Sequence, residues 1–171
     1  MKKPLLIVFG GLPGSGKTTL ARALAAHLQG VYLRIDTVEQ ALRNVGAMKI
    51  GHEGYLAAYA VAGDNLQAGN IVIADSVNPI PVTRDAWRDV ALKHAARLFE
   101  IEVVCADQAE HKRRVEMRTA DIAEHKMPTW QDVLTREYHP WKTKNITADT
   151  AGKSTEEVLE DLIQELAAFA G

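Results

Sequence analysis

Gly11-Leu12-Pro13-Gly14-Ser15-Gly16-Lys17-Thr18 fills every fixed position of the pattern G-x-x-x-x-G-K-[ST]. The apolar run Leu5-Leu6-Ile7-Val8-Phe9 comes directly before it, and Leu20, Leu24 and Leu28 follow at helical spacing. The motif therefore sits between a strand and a helix. Gly11, Gly14 and Gly16 let successive backbone N–H groups turn inward around phosphate oxygens, and the helix adds its positive end. Pro13, Ser15 and Thr19 complete the loop. Lys17 is placed to reach the outer phosphates, and the Thr18 hydroxyl to hold a magnesium ion bridging them.

The bulk numbers frame this loop. At 171 residues the chain reads as a single domain, 1–171, long enough to bury about two-thirds of its unfolded surface. Twenty basic side chains against 22 acidic ones give a net charge of −2, with no overall attraction to nucleic acid or anionic membranes. The single cysteine, Cys105, lies in an apolar run and is expected to be a core residue in a reducing compartment. Met1-Lys2-Lys3-Pro4 with five apolar residues is too short for a signal peptide, and no run approaches a spanning helix. A cytoplasmic protein is expected.

Outward from the loop, strands alternate with helices. Gly30 is expected to cap the first helix and Val31 to Asp36 to form a second strand, followed by a helix over 37–45 and a loop over 46–54. A helix over 55–67 leads to a buried strand, Ile71-Val72-Ile73-Ala74-Asp75. Pro79 and Pro81 predict a non-helical connection before a helix over 82–95. A fourth strand over 98–106 precedes a charged helix started by Asp107. A short helix over 129–137 and a fifth strand over 145–150 follow. Ser154-Thr155-Glu156-Glu157 has capping-box spacing before a final amphipathic helix. This alternation predicts an α/β fold, a parallel sheet covered by helices on both sides.

In such a sheet the ligand lies beyond the carboxyl ends of the strands. The phosphate loop, Asp36 and Asp75 all fall there. One carboxylate beside a terminal phosphate can orient a hydroxyl and take its proton, and another can hold magnesium; the alternative for each is helix capping. Arg113, Arg114 and Arg118 read as one charged helix, with 114 and 118 on a common face. His52, Tyr55, Asn78 and Arg84 have the polar and aromatic mix of a small-molecule acceptor pocket, together with Asp36 and Asp75. The competing reading puts Arg84 in solvent and Trp87 in the core. The six histidines show no metal spacing.

Taken together, Gly11 to Thr19, the aspartate ending the second strand, Ile71 to Asn78 and the Arg-x-x-x-Arg helix resemble the small P-loop kinases. The resemblance is nearest to the AAA_33-type group, which is similar to the kinase domain of polynucleotide kinase, the zeta toxins and chloramphenicol phosphotransferase. It implies a three-layer, nucleoside-kinase-like fold with five parallel strands in the order 2-3-1-4-5 and a short lid over about 119–128. It implies ATP and Mg2+ as cofactors, with Lys17 and Thr18 on phosphate and metal. It makes Asp36 the base or orienting group and puts Asp75 near the metal or acceptor. It also implies Arg114 stacked on adenine and Arg118 on the transferring phosphates. Polynucleotide kinases often carry an arginine three residues after the base, where this chain has Glu39.

Three functions follow as expectations. The first is an ATP-dependent kinase acting on a hydroxyl of a metabolite, nucleoside or antibiotic. The second is a polynucleotide 5'-hydroxyl kinase, disfavoured by Glu39 and by the near-neutral charge. The third is a nucleotide-controlled switch, disfavoured by the lack of N-K-x-D. The partners implied are a nucleotide and a small-molecule acceptor, with no membrane.

Overall fold

A computed structural model describes residues 4–46, 51–124, 126–144 and 146–170. Five strands, β1 (Leu5–Gly10), β2 (Val31–Arg34), β3 (Ile71–Asp75), β4 (Arg97–Val104) and β5 (Ile146–Asp149), form one sheet in the order β2-β3-β1-β4-β5. Every pairing is parallel, as expected from the alternation. The helices are α1 (Lys17–Leu28), α2 (Ile35–Asn44), α3 (Glu53–Gln67), α4 (Pro81–Lys93), α5 (Gln108–Met117), α6 (Trp130–Thr135) and α7 (Thr155–Ala170).

Side-chain alternation along the strands divides the core in two. Ile7, Phe9, Ile73, Phe99, Ile101 and Val103 face α1 and α7, meeting Leu20, Leu24, Leu162 and Leu166. Leu6, Val8, Val72 and Ala74 face α3 and α4, meeting Ala58, Ala62, Leu66 and Trp87. Trp87 is thus core, and Cys105 is buried. Both faces of β1 and β3 are covered, which is why their sequences are continuous apolar runs. No helix among the described residues is long and apolar enough to cross a membrane.

Local rules account for several boundaries, including some that differ from expectation. The left-handed residue ending α1 is Gln29 (φ 52°), while the Gly30 N–H returns to the Ala25 carbonyl at 3.0 Å. Strand β2 stops at Arg34 because its partner β3 stops at Asp75, the residue paired with Arg34. Asp36 therefore belongs to the first turn of α2. Pro81 begins α4 rather than delaying it, since its fixed φ and missing N–H suit a first turn. Helix α3 opens two residues early, at Glu53. Asp107 caps α5 through Ala109 and Glu110, and Ser154 with Glu157 forms the expected capping box. Part of the 46–54 loop, together with His125 and Asn145, lies outside the described residues.

Strand β4 carries buried Glu100 and Glu102 on the face toward α4. Arg88 reaches Glu100 at 2.9 Å, and Lys144 reaches Glu102 at 2.7 Å. These pairs tie the segment after α6 to the body. There Trp141 lies so close to β1 that a Cβ on Gly10 would fall 2.1 Å from its ring. Only glycine allows that approach.

Candidate active site

The phosphate loop joins β1 to α1. Gly14 (φ 82°) and Gly16 (φ 92°) adopt left-handed conformations that side chains resist, and Gly16 is the residue at which α1 begins. The loop is held from three sides. The Gly11 N–H donates to the Val77 carbonyl at 3.1 Å. Nε2 of the buried His111, on α5, lies 2.8 Å from the Pro13 carbonyl. The Thr150 hydroxyl, beyond β5, donates to the Ser15 carbonyl at 2.8 Å. Ser15 is buried, and its Oγ has no hydrogen-bond partner among the described residues. An unmet polar atom inside a fixed cradle of N–H groups suits an anionic ligand.

Lys17 and Asp75 are the buried centre of the site. The ammonium lies 3.1 Å from Oδ1, and the Tyr32 hydroxyl donates to Oδ2 at 2.6 Å. Burial pushes the Asp75 carboxyl up, but the Lys17 charge and hydrogen bonds from Tyr32, Lys17 and Thr18 outweigh it and hold the group below the ordinary carboxylate range. Tyr32 is pushed up, by burial first and by Asp75 second. An ionised carboxylate beside the Thr18 hydroxyl is a hard oxygen pair of the kind magnesium prefers. Among the described residues no cluster of three or more His, Cys, Asp or Glu side chains could hold a metal ion.

A cleft of about 910 Å³ opens over the loop. Beside Gly14 and Gly16 it is walled by Arg114, Thr150, Lys153 and Ser154; its lining also includes Arg34, Asp36, Glu39, Gln40 and Arg118. Arg118 corrects the sequence reading. Helix α5 ends at Met117, so Arg118 is extended (φ −73°, ψ 146°) and does not share a helical face with Arg114. Arg114 donates to the Thr150 hydroxyl and carbonyl at 2.7 and 2.9 Å and pairs with Glu110. Arg118 instead lies within electrostatic reach of Asp36, Arg34 and Asp121.

Five residues expected at the acceptor pocket, His52, Tyr55, Asp75, Asn78 and Arg84, do not line this cleft. The Asn78 amide donates to the Phe9 carbonyl at 2.8 Å, and Tyr55 accepts from the Asn78 N–H at 3.3 Å. His52 is exposed at the start of α3. Arg84 is neither in solvent nor in the pocket. Only 3% exposed, it donates to the carbonyls of Asn78, Pro79, His139 and Pro140 and packs on the Trp141 ring at 4.4 Å. These contacts make it a tie between loops. Asp75 is buried behind Lys17, while Asp36 faces the cleft.

Sequence reasoning passed over Arg22, Tyr32, Arg34, Asp121, His111 and Thr150. Tyr32 and Arg34 carried one usable signal: two positions apart on a strand ending opposite Asp75, they must share its face. Asp121, which draws Arg22 and Arg34 together at 2.7 and 2.8 Å, carried none, because its partners are 99 and 87 residues away.

A five-stranded parallel sheet in this order, with a complete phosphate-loop motif after its first strand and an acidic residue ending the neighbouring strand, defines the fold of the small P-loop kinases. The chain belongs to the AAA domain family AAA_33, which matches residues 6–140. A search of curated proteins finds no match. Among solved structures, it is similar to the APS kinase CysC of Mycobacterium tuberculosis in complex with AMPPNP and APS, at 20% identity over 98% of this chain and 99% of that one (TM-score 0.74). A gluconokinase from Sinorhizobium meliloti is 19% identical over 99% and 95% (TM-score 0.69). Kti12 of Chaetomium thermophilum in complex with ADP-AlF3 is 26% identical over 94% and 98% (TM-score 0.64).

Proposed function

We propose that this protein is an ATP-dependent kinase that transfers the γ-phosphoryl group to a hydroxyl of a small molecule. The observation that carries this reading is the meeting, in one cleft, of a phosphate loop and a carboxylate and guanidinium not belonging to it, Asp36 and Arg118. A loop that only held nucleotide would need neither. The fold shared with APS kinase and gluconokinase supports it.

In this reading the acceptor oxygen attacks the γ-phosphorus, the bond from phosphorus to the β,γ-bridging oxygen breaks, ADP leaves, and Asp36 receives the hydroxyl proton. Lys17 and the loop N–H groups hold the β- and γ-phosphates, and Arg118 stabilises the charge on the group in flight. Arg114, Thr150 and Lys153 wall the nucleoside side of the cleft. Thr18 and Asp75 would hold magnesium, which when bound neutralises charge on the phosphates. The segment 119–128 acts as the lid that excludes water.

The test is ATP turnover and labelled-phosphate transfer against a panel of hydroxylated metabolites, nucleosides and an oligonucleotide, with Asp36→Asn beside the wild type. A labelled small-molecule product that the variant fails to make is expected. Undiminished transfer by Asp36→Asn would remove Asp36 from the chemistry.

A further inference from the structure

The far side of the cleft is rich in guanidinium groups. Among the described residues Arg22, Arg34 and Arg118 meet there with Asp36 and Asp121, while Glu39 and Glu124 also line the cleft and Asp75 lies within electrostatic reach of Arg34. Arg22 and Arg34 share a single carboxylate oxygen, Oδ2 of Asp121. The Arg34 side chain is 9% exposed, and the buried Nε atoms of Arg34 and Arg118 have no hydrogen-bond partner among the described residues. A buried N–H left unmet is costly, and an anionic oxygen is the acceptor that pairs most strongly with a guanidinium.

Asp121 is not a built-in counter-ion of the usual kind. It sits on the segment after α5 and is 42% exposed, so an external anion can compete with it for Arg34. The second carboxylate, Asp36, lies 3.5 Å from Arg34, close enough that one small molecule could reach both residues. The electrostatics of the two deeper arginines differ in a way that fits. Burial works against Arg34, but Asp121 and Asp36 outweigh it and raise its pKa. For Arg118 burial dominates, with Arg34 adding repulsion, and lowers it.

We propose that the acceptor carries an anionic group, a carboxylate or a phosphate or sulfate, which binds Arg34 in place of the Asp121 side chain while its hydroxyl lies at Asp36. Arg34 is then a specificity-determining residue, and neutral polyols are poor acceptors. This deepens the kinase reading and rests on it for the role of Asp36; the anion site itself does not need turnover.

The test is therefore a binding experiment. With AMPPNP and magnesium filling the donor half, the full chain is titrated with sodium sulfate, sodium acetate and, as the neutral control, glycerol. Arginine Nε–Hε signals are followed by NMR, and affinities by thermal unfolding at constant ionic strength. Saturable movement of the Arg34 signal by sulfate or acetate and none by glycerol is expected, the tighter anion telling an oxyanion ester from a carboxylate. Arg34→Gln should weaken that binding by roughly tenfold or more, the loss of a charge-assisted hydrogen-bond pair. Asp121→Asn, which vacates Arg34, should tighten it, and Arg113→Gln, on an exposed residue that does not line the cleft, should leave it unchanged. No saturable movement at Arg34, or equal affinity in Arg34→Gln, would overturn the proposal. Anion binding at Arg34 with no ATP turnover against any hydroxylated acceptor would sink the kinase reading, and with it the role of the anion site in holding an acceptor, and leave only the anion site standing.

Discussion

Lys17 and Asp75 neutralise one another at 3.1 Å, both nearly sealed from solvent, on residues 58 positions apart. The pair joins the phosphate loop to the end of β3 and leaves the lysine with a counter-charge of its own. Asp75→Asn removes the charge and keeps the shape. It strands a buried ammonium, so a loss of about 3 kcal/mol is expected in urea unfolding. Metal-free ATP supplies new counter-charge to Lys17, and its thermal shift in EDTA should be larger in the variant than in the wild type. Equal shifts would mean that Asp75 and phosphate do not compete for Lys17.

Asp36 and Arg118 face the same cleft but should fail differently when removed. Asp36→Asn is expected to lower kcat by roughly 10²- to 10⁴-fold, the span of general-base catalysis, with KM for ATP little changed. Arg118→Ala should lower kcat by about 10³-fold, as expected for a guanidinium acting on the transferring group. Because Arg118 makes no hydrogen bond among the described residues, Arg118→Ala should leave the unfolding midpoint close to that of wild type. Arg114→Ala should do the reverse, losing stability through Thr150. Steady-state kinetics beside denaturant melts separate the two arginines.

The donor half of the site was legible in the sequence because it is local. Eight consecutive residues, a preceding apolar run and a following helical period fix a strand, a loop and a helix, and Asp75 ends a run too apolar to be anything but a buried strand. The order of strands was available only through resemblance. The acceptor side was illegible for a physical reason: Arg34, Arg118 and Asp121 meet through chain turns no periodicity encodes. The end of α5 at Met117 decides where Arg118 points, and nothing in the charged run Glu110 to Arg118 marks that residue as the last turn. Arg84 misled because an arginine on a helix usually faces water, whereas this one meets four carbonyls presented by two loops.

His111 offers a test of how firmly the loop must be held. It lies 2.8 Å from the Pro13 carbonyl and packs edge-on against Trp130 at 5.2 Å, linking α6 to the loop. His111→Phe preserves the ring packing but leaves the carbonyl unmet, at a cost of about 1–3 kcal/mol. ATP affinity should fall with it, while His111→Gln, which retains a donor, should recover part of both. Isothermal titration with ATP on the three proteins checks this, and equal affinities would show that the loop holds its shape without α5.

The Asp121 bridge should respond to acid in a defined direction. Hydrogen bonds from Arg34 hold its carboxyl down, against slight burial and with help from Arg22, to about 2, from an ordinary value of 3.8. A carboxyl whose pKa is lower folded than unfolded contributes stability that is present above about 4 and disappears as pH falls through about 2. Because Asp121 is substantially exposed, screening keeps that contribution small, and the bridge rather than global unfolding is the thing to watch. Between pH 7 and 4 the Arg22 and Arg34 Nε–Hε signals should therefore hold their positions. They should then move together as pH drops from 4 toward 2, and in Asp121→Asn that joint movement should be missing. Movement centred near pH 4 instead would mean that the two arginines do not hold the carboxylate.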